Sequence, residues 1–132
     1  MKDDIIPKEL VWVLKTMVRK DKHENKYEYH GKYGKDYVEV LEELIIDQDD
    51  VKYYTAFEWF KYKGIIAEIY RFERGYSYFI HVGNEEMGDD DAWETYDEAR
   101  YFCFKEILNG MILMGESNNK EIFKKHKNEK NI

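Results

Sequence analysis

Three features of the sequence predict an α+β fold. Apolar residues recur at helical spacing through much of the first half, the period changes to two between Ile65 and Val82, and a capped helical stretch opens at Thr95. The expected arrangement is a small antiparallel sheet centred on a hairpin over residues 65–82. A long C-terminal helix over 96–114 packs on it, with N-terminal helices over 7–20, 36–46 and 55–63. Residues 1–115 are expected to form one domain, because 132 residues suffice for one core but not two. Residues 116–132 form a polar, Lys-rich tail that is expected to fray or to dock loosely, with Ile122 and Phe123 as its main apolar content.

The first helix is announced by Pro7, which a first helical turn accepts, and by Ile6, Leu10, Leu14, Met17 and Val18 on one stripe. Trp12 falls off that stripe and is expected to face a second element. The polar segment over 21–35 holds Gly31, Gly34 and three tyrosines, Tyr27, Tyr29 and Tyr33. It suits a short strand or a loop equally. In DYVEVLEELII, Asp36 can cap a second helix whose apolar face is Tyr37, Val40, Leu41, Leu44 and Ile45, leaving Glu39, Glu42 and Glu43 to water. In TAFEWFKYKG, Thr55 and Glu58 have the spacing of a capping box, Ala56, Phe57 and Phe60 supply apolar contact, and Gly64 is a C-terminal stop.

IIAEIYRFE and YSYFIHV, parted by Arg74-Gly75, read as a β-hairpin. Tyr76, Tyr78, Ile80 and Val82 share one face of the second strand, with Ser77, Phe79 and His81 on the other. Two strands alone are marginal in water, so a third is expected from Tyr27–Tyr33 or from a second copy of the chain. GNEEMGDDDAW reads as a loop. Thr95 then caps the last helix with Glu98 three residues on, and Asp97 and Glu98 favour the positive end of its dipole. Its expected buried face is Ala99, Phe102, Cys103, Glu106, Ile107, Gly110 and Met114, with Glu106 the polar exception.

The order of TAFEWFKYKG, the aromatic strand YSYFIHV and the helix opened by TYDEA resembles a pattern in small uncharacterised proteins encoded by bacterial phages and mobile elements. The match runs over residues 54–110. The resemblance implies an α+β fold and an accessory role in phage or mobile DNA, and it carries no catalytic residues.

Composition narrows the function. The chain is 17% aromatic with twelve tyrosines, residues that serve both a core edge and a partner surface. Its net charge of −7 argues against direct binding to nucleic acid or to an anionic membrane. The charge is blocky: residues 36–50 hold seven acids and 85–98 hold eight, and neither block contains Lys or Arg. A single cysteine, Cys103, excludes an intramolecular disulfide and a Cys-based zinc framework. No apolar run approaches the ~20 residues of a membrane helix, and MKDDIIPKEL does not resemble a secretory signal. The expected location is the cytoplasm, in a bacterial host cell.

Catalytic parts are not apparent. Glu85, Glu86, Asp89, Asp90 and Asp91 could offer oxygen ligands, yet the spacing departs from an EF-hand and reads as a solvated loop. None of His23, His30, His81 and His126 forms an i, i+4 pair, and His81 reads as a half-buried strand residue. Cys103, between Phe102 and Phe104, reads as a small buried hydrophobe. There is no phosphate-binding glycine loop and no nucleophile elbow. No catalytic residue, cofactor or metal is expected.

What remains is a non-catalytic acidic module for binding a protein partner of basic character, using Glu85, Glu86, Asp89, Asp90, Asp91 and Trp93. Such a module could occupy a host protein, in one form by presenting carboxylates as stand-ins for phosphates, or serve as an immunity protein against a basic toxin. The alternative is a small-molecule or nucleotide binder whose aromatic pocket, beside Trp93, includes Tyr76, Tyr78 and His81. A short sheet with an aromatic edge favours a homodimer.

Overall fold

The computed structural model describes residues 4–24, 34–88 and 91–117, so the Tyr27–Tyr33 segment and the tail beyond Ser117 lie outside the described residues. Four helices and a three-stranded antiparallel sheet make the fold α+β. The elements run α1 (Lys8–Glu24), α2 (Gly34–Ile46), α3 (Tyr53–Tyr62), β1 (Ile65–Phe72), β2 (Gly75–Val82), β3 (Glu85–Gly88) and α4 (Tyr96–Ser117). They divide into two compact units, Met1–Ile66 and Ala67–Ile132.

In the first unit, α1 starts directly after Pro7, whose carbonyl accepts the N–H groups of Leu10 and Val11, each at 3.0 Å. The helix buries Val11, Leu14 and Val18, together with Ile6 ahead of it. Trp12, expected to meet a second element, is instead 70% exposed. On α2 the buried stripe is Val38, Leu41, Glu42 and Ile45, while Val40 and Leu44 face outward. The helix is thus turned by one position from the expected face. Its sequence carries two adjacent apolar stripes, and an acceptor for the Trp59 indole decides between them: Nε1 donates to Glu42 Oε2 at 3.3 Å.

Helix α3 begins at Tyr53 rather than Thr55, with Lys52 in extended conformation and no side-chain cap. The expected capping box is therefore not what starts it. Tyr53 is buried, and packing of its ring extends the helix by one half-turn. The stop is as expected: Gly64 adopts φ 86°, and the Lys63 and Gly64 N–H groups bond the carbonyls of Phe60 and Lys61 at 2.9 and 3.0 Å. Ala56, Trp59 and Phe60 are fully buried. Each of the two large rings contributes about 1.5–3 kcal/mol by leaving water.

In the second unit the strand order is β1-β2-β3. A third strand in the described sheet comes from a segment expected to be a loop. GNEEMG, expected as a loop, turns at Gly83-Asn84 and returns as β3, with Ile80 opposite Met87 and Val82 opposite Glu85. Gly83 has φ 63°, as a two-residue hairpin turn needs. Met87 is the one buried residue of β3. Beyond β3 the chain returns to β2, where Trp93 bridges Tyr76 through reciprocal N–H···O bonds of 2.9 and 2.8 Å.

Helix α4 packs against β2. Thr95 caps it as expected: Thr95 Oγ1 accepts the Glu98 N–H at 3.1 Å, and its hydroxyl reaches the Glu98 carboxylate at 3.1 Å. The helix buries Ala99, Cys103, Phe104, Glu106, Ile107, Leu108 and Met111, a wider stripe than expected, while Phe102 is half-buried. Cys103 is a free, buried thiol.

Candidate functional site

The alternation of β2 distributes the aromatic residues between two surfaces. Tyr78 is 1% exposed and its hydroxyl donates to Glu106 Oε1 of α4 at 3.3 Å. Tyr76 shares that face, and its ring meets Tyr96 edge-on at 6.1 Å. His81, an odd number of residues away, stands on the other face. The structure therefore does not bring Tyr76, Tyr78 and His81 together, and the space beside Tyr78 is occupied by Glu106. Trp93 is half-buried, fixed by its backbone bridge and by stacking on Phe102 at 4.2 Å and 11° between planes.

The face that carries His81 is built from all three strands. Tyr70 of β1 stacks on Phe79 of β2 at 5.0 Å and 18°. Phe79 can lie there because Gly88 is opposite it: a β-carbon on Gly88 would come 2.8 Å from Phe79 Cε1. His81 Nε2 lies 3.1 Å from Glu68 Oε2, and His81 Nδ1 lies 3.6 Å from Glu86 Oε2. The imidazole thus lies between the carboxylates of β1 and β3 across β2, within hydrogen-bond distance of Glu68 and at ion-pair distance from Glu86. The result is a surface on which aromatic rings and carboxylates surround one imidazole.

The acidic residues form the rim of this unit. Glu85 and Glu86 are exposed on β3, an edge strand that their charges also guard against strand pairing. Asp91, Glu94, Asp97 and Glu98 are exposed between Gly88 and the first turn of α4. Asp97 meets Arg100 Nη2 at 3.2 Å. Asp89 and Asp90 lie outside the described residues. Of the residues proposed from sequence for partner binding, Glu85, Glu86 and Asp91 are presented to solvent, whereas Trp93 is half-buried and bridged to Tyr76 at the start of β2, the opposite end of that strand from the partners of Glu85 and Glu86.

The first unit holds a polar cluster that the sequence reading missed. Asp21 at the end of α1 meets Lys63 just after α3, and Glu42 of α2 accepts from Trp59. The Lys63 ammonium also sits 5.6 Å from the Trp59 ring centre. Burial raises the Glu42 carboxyl above its usual range, and the Trp59 hydrogen bond and the Lys63 charge oppose that rise. The available signal was Val38, which places Glu42 on the same stripe as Ile45.

Among the described residues no group of three or more His, Cys, Asp or Glu is placed to hold a metal ion, and no helix is long and apolar enough to cross a membrane. No protein-family model, curated protein or solved structure matches the chain.

Proposed function

We propose that the chain is a non-catalytic acidic protein-binding module that engages a basic partner through the rim running from β3 to the first turn of α4. One observation carries this reading. All six described acids between Glu85 and Glu98 are exposed, on a strand and a capped helix start, in a stretch with no Lys or Arg. Carboxylates in such an array attract a basic surface from a distance and select it over neutral or acidic ones. They repel phosphates, so direct nucleic-acid binding is not part of the proposal. His81, with Glu86 at its Nδ1 and Glu68 at its Nε2, helps to fix the rim to the sheet.

The biological setting that fits is a cytoplasmic factor of a phage or mobile element that occupies a basic host protein, such as a nucleic-acid enzyme. An immunity protein against a basic toxin uses the same physics. Neighbouring genes separate the two: an adjacent toxin gene supports immunity, and a phage early region supports action on a host protein. The small-molecule reading has less behind it, because Tyr78 is filled against Glu106 and His81 is on the opposite side of the sheet.

The test is retention of a partner by immobilised full-length chain from bacterial lysate, with the triple variant Glu85→Lys, Glu86→Lys, Asp91→Lys as comparison. The wild type is expected to retain a basic protein that the variant loses and that salt elutes. Equal retention by both, or a retained set without basic proteins, would overturn the reading.

A further inference from the structure

The first unit leaves two outward helix faces of opposite character. Trp12 is the most exposed large apolar side chain among the described residues, at 70%. It stands on α1 with exposed Lys8 four positions before it and exposed Arg19 seven after it on one helical face. Lys15 between them is half-buried and donates to the Ile46 and Gln48 carbonyls, and exposed Glu9 borders the face three positions before Trp12. On α2, Val40 and Leu44 are exposed at 54% and 43%. Asp36 stands four positions before Val40 and Asp47 seven after it, with Glu43 between, and all three acids are exposed. Asp47 follows the last residue of α2, but its N–H still bonds the Glu43 carbonyl at 2.8 Å, so the helical spacing holds.

The two faces match in detail. Each has an apolar centre bracketed by charges at the same offsets, four before and seven after, with cations on α1 and anions on α2. On a helix that rises 1.5 Å per residue, each pair of brackets is about 16 Å apart. None of Lys8, Arg19, Asp36, Glu43 and Asp47 has an ion-pair partner among the described residues. The side chains that α1 and α2 bury are others: Val11, Leu14 and Val18 on one, and Val38, Leu41 and Ile45 on the other.

We propose that the Lys8–Trp12–Arg19 face of one copy docks on the Asp36–Val40–Leu44–Asp47 face of a second copy. The occupant is a second copy because the chain itself supplies both halves of a complementary pair at equal spacing. In a two-fold pair each copy gives both faces and the contact forms twice. The apolar area at each centre is small, so the charges govern the encounter and the association weakens with salt. The proposal uses residues of the first unit alone and stands or falls independently of the partner proposed for the acidic rim.

Sedimentation velocity of the full chain from micromolar to millimolar concentration tests the proposal, with two charge-reversed variants. One is Lys8→Glu with Arg19→Glu; the other is Glu43→Lys with Asp47→Lys. The wild type is expected to associate at low salt, and each variant alone to associate at least about tenfold more weakly. An equimolar mixture of the two is expected to recover the association, because each reversed face then meets its opposite. A wild type that stays monomeric throughout, variants that associate as the wild type does, or folded variants that fail to recover on mixing would overturn the proposal. Should a charge-reversed chain fail to fold, Trp12→Ser at its exposed position reads the same contact: loss of association supports the docking and retention refutes it.

Discussion

Lys63 Nζ lies 2.6 Å from Asp21 Oδ2, and the two side chains are only 1% and 5% exposed. The pair joins the last turn of α1 to the residue that ends α3. Each charge has given up hydration that the other, held in direct contact, offsets. Removing one partner strands the other. Lys63→Met is therefore expected to lower the unfolding free energy by about 3–5 kcal/mol, whereas the double change Asp21→Leu with Lys63→Met costs much less. Urea unfolding followed by tryptophan fluorescence reads this directly, since Trp59 is adjacent to Lys63. A double-variant loss equal to the sum of the Lys63→Met and Asp21→Leu losses would show that the two charges are not coupled.

Glu42 gives the fold a pH dependence of definite sign. Burial raises its carboxyl above the unfolded value, with the Trp59 hydrogen bond and the Lys63 charge acting against the shift. The folded chain then holds the proton more tightly than the unfolded chain. Stability from this residue is present below the unfolded value and declines as pH rises towards and through the folded one. Glu42→Gln keeps an acceptor for Trp59 Nε1 without the charge. It is expected to raise the urea midpoint at neutral pH and to flatten the profile above the ordinary carboxyl range. A variant less stable than wild type at neutral pH would mean that the ionised form is favoured.

These two residues also mark how far the sequence could be read. Thr95 with Glu98, Gly64 and the alternation of Tyr76 to Val82 were legible because each signal is local: a cap, a positive-φ stop and a period. The face of α2 was not, because Val38, Val40, Leu41, Leu44, Ile45 and Ile46 allow two neighbouring stripes, and a residue 17 positions away, Trp59, chooses between them. Strand β3 was hidden by its own composition, with a single buried Met87 among acids, although Gly83-Asn84 was a hairpin turn in plain sight. For the candidate site, exposure of Glu85, Glu86 and Asp91 could be foreseen from charge alone. The separation of Tyr78 from His81 follows from strand parity, and the occupant of Tyr78's surroundings, Glu106, needed the tertiary structure.

Gly75 is constrained from two sides. Its φ of 134° is a conformation that side chains rarely adopt, and a β-carbon there would collide with the Trp93 carbonyl oxygen. That oxygen belongs to the bridge that returns the chain to β2 ahead of α4. Gly75→Ala is expected to cost at least about 1–3 kcal/mol and to release Trp93 from Phe102, which near-ultraviolet circular dichroism detects as a lost aromatic band. A variant with wild-type stability and spectrum would show that the bridge is dispensable.

Tyr78 and Glu106 make a polar contact between sheet and helix in the second unit, at 3.3 Å with both residues 1% exposed. Tyr78→Phe keeps the ring and removes only the hydroxyl, so the buried carboxylate loses one donor that water cannot replace. The expected cost is about 1–3 kcal/mol. Tyr78→Phe with Glu106→Gln is expected to recover part of it, because a neutral amide is cheaper to leave short of a donor than a carboxylate. Thermal unfolding of the two variants decides the matter: a Tyr78→Phe chain as stable as wild type would mean that the hydroxyl is present for packing alone.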